Sequence, residues 1–409
     1  MLSDQTPSAG RRLSRRHLLL GGAAAGIGAV GAVGAVGIDL ATNSNPPVVA
    51  EPLNGTHTVP FYGVHQAGID TVPQSNATLI ALDLHAGTDA ATLQRFMKIL
   101  TSDAARLSQG EAALADSEPE LAVAPARLTV TFGFGPGLVA LAGGTAPSWL
   151  RPLPAFGVDQ LDPAWGDGDL LLQIAADDSL TVAHTTRMLL KDSRSFATIR
   201  WVQRGFRRAP GSVKPGTTMR NLFGQVDGTV NFVPGTPDFE RLVWGAAENP
   251  AWLHGGTGFV LRRIAMQLDK WDKLDRSGRE ASVGRTLSNG APLTGVNETD
   301  DPDFDAKTAI GFPVIPEFSH LRRARSENPD ERILRRGYNY DDAPTGGSVS
   351  HSGLLFVSFQ ADVDAQFVPI QRRLDELDLL NEWTTPIGSA VFAIPPGCAA
   401  GGYIGDTLF

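Results

Sequence analysis

Ala77-Thr78-Leu79-Ile80-Ala81-Leu82-Asp83-Leu84 is an apolar, β-rich run, after which Leu93, Phe96, Leu100, Ala104 and Leu107 recur at helical spacing, with Thr88 available as a cap. Arg127 to Phe134 then alternates like a strand, and Leu170 to Ala175 is a second apolar run. Leu180 to Lys191 reads as helix and Phe196 to Val202 as strand. The order is β-α-β-β-α-β, the ferredoxin-like pattern. The second half repeats it. Phe259 to Leu268 puts Val260, Ile264, Met266 and Leu268 on one alternating face, and Trp271 to Gly284 follows as a charged amphipathic helix. Leu354 to Phe359 and Ala390 to Ile394 read as strands flanking a helix with Phe367, Ile370, Leu374, Leu377 and Leu380 on one face. The expected fold class is α+β, with one ferredoxin-like domain over 55–215 and a second over 216–409. Between the first helix and the next strand of the second copy lie about 65 residues, Thr286 to Ser350, where a connection of about 4–6 is usual. An insertion of that length carries function or is disordered.

The 409 residues suffice for two or three domains, and 42% hydrophobic with 19% charged residues excludes both a disordered chain and a multi-span membrane protein. A single cysteine, Cys398, excludes an intrachain disulfide framework, a CxxC site and a cysteine-held iron–sulfur cluster. The net charge of −9 becomes −11 without the first 45 residues, a surface that repels phosphate backbones, so no nucleic acid is expected as a partner. Ser14-Arg15-Arg16-His17-Leu18-Leu19 has the twin-arginine arrangement, and 21 uncharged residues follow from Leu18 to Ile38, seven of them glycine. That combination reads as a Tat export signal with a linker, residues 1–50, and Val48-Val49-Ala50 offers small residues for cleavage. The alternative is a retained transmembrane anchor, since about 20 apolar residues span a bilayer. Either way the body is expected outside the cytoplasm: extracellular, periplasmic or bound to the cell envelope.

Several local patterns fail on their details. Gly133-Phe134-Gly135-Pro136-Gly137 lacks the spacing and the lysine of a phosphate loop and reads as a turn. Asp301-Pro302-Asp303-Phe304-Asp305 starts like a calcium loop but has Ala306 and Phe312 where glycine and glutamate are needed. The eight histidines form neither HExxH nor HxH, and no GxSxG is present. What remains is sparse. Gly224-Gln225-Val226-Asp227-Gly228 sets a carboxylate between glycines, where backbone can approach a flat partner; His320 stands in the insertion; Arg335-Arg336 follows 15 residues later. Singly, each has an ordinary structural explanation.

Their wording is more specific. Arg220-Asn221-Leu222-Phe223-Gly224-Gln225-Val226-Asp227-Gly228-Thr229 resembles the GxxDG segment of dye-decolourising heme peroxidases. The resemblance continues through Trp271-Asp272-Lys273-Leu274-Asp275-Arg276, Gly290-Ala291-Pro292-Leu293-Thr294, Ser319-His320-Leu321-Arg322, Ile333-Leu334-Arg335-Arg336-Gly337-Tyr338-Asn339-Tyr340, Gly353-Leu354-Leu355-Phe356 and Ile394-Pro395-Pro396-Gly397. It runs from about Tyr62, with Gly63-Val64-His65-Gln66-Ala67-Gly68-Ile69 similar to the family's opening strand, to Phe409, and is nearest the exported branch related to iron-uptake peroxidases.

The resemblance implies a duplicated ferredoxin-like, barrel-like body binding heme b (iron protoporphyrin IX), and reduction of hydrogen peroxide through a ferryl species followed by oxidation of dyes, phenols or other one-electron donors. It assigns His320 as proximal iron ligand, Asp227 as distal acid/base and Arg335 as distal arginine. Arg336 is its rival and, with Gly228, is counted among the cofactor-binding residues; Leu354 and Phe356 match the apolar distal wall. Asp362 is the candidate carboxylate beside His320, or else a helix-capping acid. Tyr338, Tyr340, Tyr403 and Trp383 are candidate surface relays, with plain packing as the alternative. The implied partners are hydrogen peroxide, a small-molecule reductant, the Tat translocase, an iron-uptake transporter and a second copy of the chain. An acidic working range is expected if a carboxylate titrates within it. Two other roles remain open: heme-iron acquisition of the deferrochelatase kind, and non-catalytic heme carriage.

Overall fold

The computed structural model describes residues 53–245 and 248–409, so the twin-arginine stretch, the apolar run after it and most of the linker lie outside the described residues. In the first half, β1 (Asn76–Leu84), β2 (Thr129–Phe134), β3 (Leu170–Ala176) and β4 (Ala197–Phe206) alternate with α1 (Ala90–Ser108), the short α2 (Pro136–Leu141) and α3 (Ser179–Ser193). In the second half, α4 (Pro237–Val243) precedes β5 (Thr257–Met266). Then come α5 (Leu268–Trp271), α6 (Arg276–Val283), α7 (His320–Ala324), β6 (Leu334–Arg335), β7 (Tyr338–Asp342), β8 (His351–Gln360), α8 (Val368–Leu377) and β9 (Thr384–Ile394).

The strand order β4-β1-β3-β2 in the first half reappears as β9-β5-β8-β7 in the second, all pairs antiparallel. Each half is thus a ferredoxin-like sheet. Their edges join twice and reciprocally, β2 to β9 at Phe134 and Ala393, and β4 to β7 at Phe206 and Asn339, which closes eight strands into one barrel, with β6 continuing the register of β7 along β8. Closure removes the exposed strand edges that two separate sheets would present.

The closed wall separates three cores, as a side-chain period of two requires. Leu79, Leu171, Trp201, Phe259, Leu261, Tyr338, Leu355, Phe359 and Phe392 fill the barrel. On the outside of the first half, Ile80, Leu82, Leu172 and Ile174 pack against Leu93, Phe96 and Leu100 of α1 and Met188 and Leu189 of α3. Leu93, Phe96 and Leu100 are fully buried, each stabilising by about 1.5–3 kcal/mol. The equivalent outer face of the second half carries a smaller cluster of Phe223, Met266, Trp271, Val283 and Leu354.

Four sequence expectations are corrected locally. Asp89 caps α1, accepting from Thr92 N at 2.8 Å, while the Thr88 hydroxyl donates to His85 O. The helix expected over Trp271–Gly284 breaks after Trp271 because Asp275 caps a new one, accepting from Gly278 N at 2.8 Å; left-handed Gly284 (φ 83°) ends it. The helix before β9 is a π-turn (Val363–Phe367), α8 and a 3₁₀ turn (Leu379–Glu382) in series. The long insertion is built rather than loose, since it contains α7, β6 and β7, the last being a strand the sequence reading missed.

Candidate heme site on the outer face of the second half

Arg220 and Val226 form an isolated bridge that folds the segment between them into a tight loop, with left-handed Gly224 (φ 78°) at its turn. The Asn221 carboxamide accepts from Phe223 N and Gln225 N, and Arg220 donates to Gly224 O, Leu287 O and Ser288 O. Asp227 N donates to Met219 O at 2.8 Å. After Asp227 the backbone enters the positive-φ region at Gly228 (129°), a conformation that favours glycine, and Thr218 and Thr229 both donate to Glu298 Oε1. Asp227 is therefore presented on a loop cross-tied to the insertion.

The loop meets β6. Arg335 Nη1 donates to Asp227 Oδ1 at 3.0 Å, with both side chains about a quarter exposed. Arg336, one residue on, takes the other face of the strand: it is buried, and its guanidinium donates to Thr71 O and to Gln74 Oε1. Arg335, not Arg336, is therefore the arginine that meets Asp227. Arg336 belongs to the barrel interior, which corrects its placing among cofactor-binding residues.

His320 opens α7. Its Nδ1–H donates to Asp378 Oδ2 at 2.6 Å, and the other carboxylate oxygen, Oδ1, accepts from Leu380 N at 3.0 Å. Asp378 ends α8, and Leu379 N donates to Phe318 O, so the carboxylate is held against α7 by backbone. Burial works against a charged imidazole, but the charge and hydrogen bond of Asp378 outweigh it and hold His320 above its ordinary value; the charges of Arg335 and Asp227 also reach the ring. The carboxylate beside His320 is thus Asp378. Asp362 instead accepts from Ala365 N at 2.8 Å and caps the π-turn, the capping alternative of the sequence reading. Among the described residues no hydrogen bond reaches His320 Nε2, and the side chain is 34% exposed although protein surrounds it.

Between these groups lies the outer face of the second sheet. β8 is buried from Ser352 to Gln360 except at Phe356, and Ile264, whose register neighbour Leu354 is on the same face, is likewise only half-buried. Mid-strand apolar side chains left open in this way mark a place that a flat apolar group would cover. A free imidazole nitrogen with its partner nitrogen fixed by a carboxylate, and an acid–arginine pair within electrostatic reach of it, are the donor set that a heme requires. The residues fit the group.

The relay candidates divide. Tyr338 and Tyr340 are fully buried beneath Arg207 and Arg263, at 4.9 and 3.8 Å from their ring centroids, and neither hydroxyl has a hydrogen-bond partner among the described residues. Burial pushes the Tyr340 phenol up to about 12. A tyrosine that yields an electron must also yield its proton, and here nothing accepts it. Tyr403 accepts from Gln94 at 2.7 Å, with Lys98 5.0 Å from its ring centroid. Trp383 is half-buried and meets Trp271 edge to face at 5.3 Å; Trp271 stacks at 4.4 Å on Phe223 of the Asp227 loop. Of the dismissed motifs, Gly133–Gly137 is not the turn expected: Gly133 and Phe134 end β2, Gly135 caps α2, and Pro136 and Gly137 open that helix; Asp303 Oδ1 accepts from Asp305 N and Ala306 N in a local loop.

Comparison with known proteins agrees with this geometry. The Dyp-type peroxidase N-terminal family model matches residues 66–207, and the C-terminal model residues 218–399. A dye-decolorizing peroxidase of Thermobifida fusca is 38% identical over 358 residues, covering 84% of this chain and 83% of its own. A deferrochelatase of Escherichia coli is 35% identical over 422 residues, covering 97% and 96%. The crystal structure of a DyP-type peroxidase from Cellulomonas bogoriensis is 56% identical and superposes with a TM-score of 0.84 over 87% of this chain and 99% of that one. The chain belongs to the Dyp-type peroxidase family and is a heme-dependent peroxidase.

Proposed function

We propose that His320 holds the heme iron through Nε2, that Leu354 and Phe356 line the macrocycle, that the Gly228 backbone lies close against it, and that Asp227 and Arg335 carry out the chemistry on hydrogen peroxide. The observation that carries this reading is the 3.0 Å contact between Asp227 and Arg335, together with the His320 imidazole held at Nδ1 by a buried carboxylate. Heme, when bound, would supply the redox chemistry that peroxide cleavage and oxidation of the reductant require. Asp227 takes a proton from one oxygen of hydrogen peroxide and returns it to the other, which leaves as water. Arg335 stabilises the negative charge that grows on the leaving oxygen, and its fixed position requires no reorganisation when that charge appears. Asp378 orients the imidazole and makes it a stronger electron donor.

The division into residues 1–50, 55–215 and 216–409 belongs to the same proposal, as does Tat-dependent export to an extracellular, periplasmic or envelope location, which the twin-arginine stretch supports. An iron-uptake transporter and a second copy of the chain are its further proposed partners. A second reading, release of iron from heme, is favoured by the near-complete coverage of the deferrochelatase relative.

The test is the absorption spectrum of the heme-loaded protein before and after one equivalent of hydrogen peroxide, with extraction of the porphyrin. A Soret shift within seconds, slowed about 100-fold or more in Asp227→Asn with heme left intact, is the expected result. Metal-free porphyrin plus released iron would establish the second reading, and a spectrum indifferent to peroxide would refute catalysis.

A further inference from the structure

Arg335 is the last residue of a two-residue strand. On one side β6 is held by β8, Leu334 opposite Phe359 and Arg335 opposite Ser358, with Arg336 N donating to Val357 O. The N–H and C=O of Arg335 itself face the other way, where a sheet would offer another strand. What meets them is one side chain. Arg335 N donates to Asn231 Oδ1 at 2.9 Å, and Asn231 Nδ2 donates to Arg335 O at 2.7 Å. The carboxamide acts as a single peptide unit of a missing strand, satisfying both backbone groups at once.

Asn231 is also four residues after Asp227, in a turn closed by Asn231 N donating to Gly228 O at 3.2 Å. The contacts therefore form a ring. It runs from Asp227 through the turn to Asn231, across the paired amide bonds to the Arg335 backbone, and along the Arg335 side chain back to Asp227 at 3.0 Å. Of the other ties on the loop, Arg220 to Leu287 and Ser288, and Thr218 and Thr229 to Glu298, lead to the insertion before α7; Asn339 Nδ2 donates to Arg220 O from β7, four residues beyond Arg335, at the far end of the loop from Asp227.

We propose that Asn231 is a positioning residue for peroxide cleavage, setting the separation of the distal carboxylate from the distal guanidinium by standing in for a β-strand beside Arg335. The inference rests on the distal roles of Asp227 and Arg335 proposed above. The residue type follows from the geometry. Aspartate accepts but does not donate, serine is too short to span both backbone atoms, and alanine offers neither bond. An error of about 1 Å in such an arrangement costs on the order of 100-fold in rate.

The experiment uses the heme-loaded protein as wild type, Asn231→Ala, Arg335→Leu and the double variant. Two readouts are taken: the second-order rate of reaction with hydrogen peroxide, and the equilibrium affinity of the ferric protein for fluoride, a small anion whose binding reports a distal hydrogen-bond donor without turnover. Asn231→Ala is expected to lower both by about 10-fold or more while leaving the KM for the reducing substrate within about twofold. In the Arg335→Leu background it is expected to add less than about twofold. Equal losses in both backgrounds, or wild-type rate and fluoride affinity in Asn231→Ala beside an impaired Arg335→Leu, would overturn the positioning role alone. An unimpaired Arg335→Leu would instead overturn the distal assignment beneath it. Should Asn231→Ala not fold, Asn231→Asp keeps the size and the acceptor and loses only the bond to Arg335 O. It should react at least about threefold more slowly, and a wild-type rate would refute the inference.

Discussion

Replacing Asp192 by asparagine should remove a pH dependence of stability that lies far from the heme face. Asp192, on α3, faces Asp103, which is 1% exposed on α1, and Asp192 Oδ2 is buried with no donor among the described residues. Burial, together with the charge of Asp103 and a hydrogen bond to it, pushes Asp192 up to about 7 from an ordinary 3.8. Two carboxylates can share a hydrogen bond only around a proton, so the pair holds one where the unfolded chain has released it. A carboxyl raised in the folded state contributes stability that is fully present below about pH 4 and is lost as pH rises through about 7. The interval corresponds to about 4 kcal/mol at 1.36 kcal/mol per pH unit, and to about half that once water screening of the partly open carboxyl is counted. For an unfolding entropy of about 0.8 kcal/mol/K this is a melting shift of about 3–5 °C. In Asp192→Asn the amide N–H donates to Asp103 at every pH. Melting of wild type and variant from pH 4 to 8 should therefore give a difference that grows in favour of the variant toward pH 8. Parallel curves, or a variant less stable at pH 8, would refute the shared proton. The variant also tells an acidic activity optimum caused by Asp227 from one caused by loss of fold, because only the first survives Asp192→Asn.

Asp378→Asn should keep the heme but reduce the peroxide reaction rate about 10- to 100-fold and shift the iron–histidine stretching band to lower frequency, as resonance Raman spectroscopy would detect. An unshifted band would mean that Asp378 merely supports α8. Trp383→Phe should slow oxidation of a bulky dye while leaving the peroxide step unchanged, as stopped-flow measurement of each half-reaction would show. Equal loss in both would remove Trp383 from any relay.

The duplicated fold was legible because both halves obey the same two periods, and the expected strands overlap β1 to β5, β8 and β9, although β9 already begins at Thr384 where Ala390 was expected. β7 was hidden by its composition. Tyr338-Asn339-Tyr340 alternates inward aromatics with an outward amide, but Asp341 and Asp342 follow and the run sits inside an insertion, so nothing local tells it from a loop. Closure of the barrel was not readable at all from periodicity, since it depends on two single-pair junctions between residues more than 130 positions apart. The site divides in the same way. Asp227, His320 and Arg335 stand in distinctive words of sequence. Asp378 is 58 residues from His320 and reaches it only through the packing of α8 on α7, while Asp362 offered the same local pattern of an acid before a helix and proved to be a cap.

That division has a structural cause. A bare β-α-β-β-α-β unit covers its outer face with its own two helices, as α1 and α3 do in the first half. The second half departs from the pattern in two places, and those departures carry the proposed site: the segment between β4 and β5 brings Asp227 and Asn231, and the insertion between α6 and β7 brings His320 and Arg335. Residues that serve the barrel follow the periodicity of the sheet and identify only a fold. Residues of the proposed heme face sit in turns and short elements, where backbone conformation demands particular side chains, such as glycine at 224 and 228, an amide at 221 and another at 231. Arg335 and Arg336 make the contrast within one dipeptide. The first points to the added segments and meets Asp227; the second points inward, to Thr71 and Gln74.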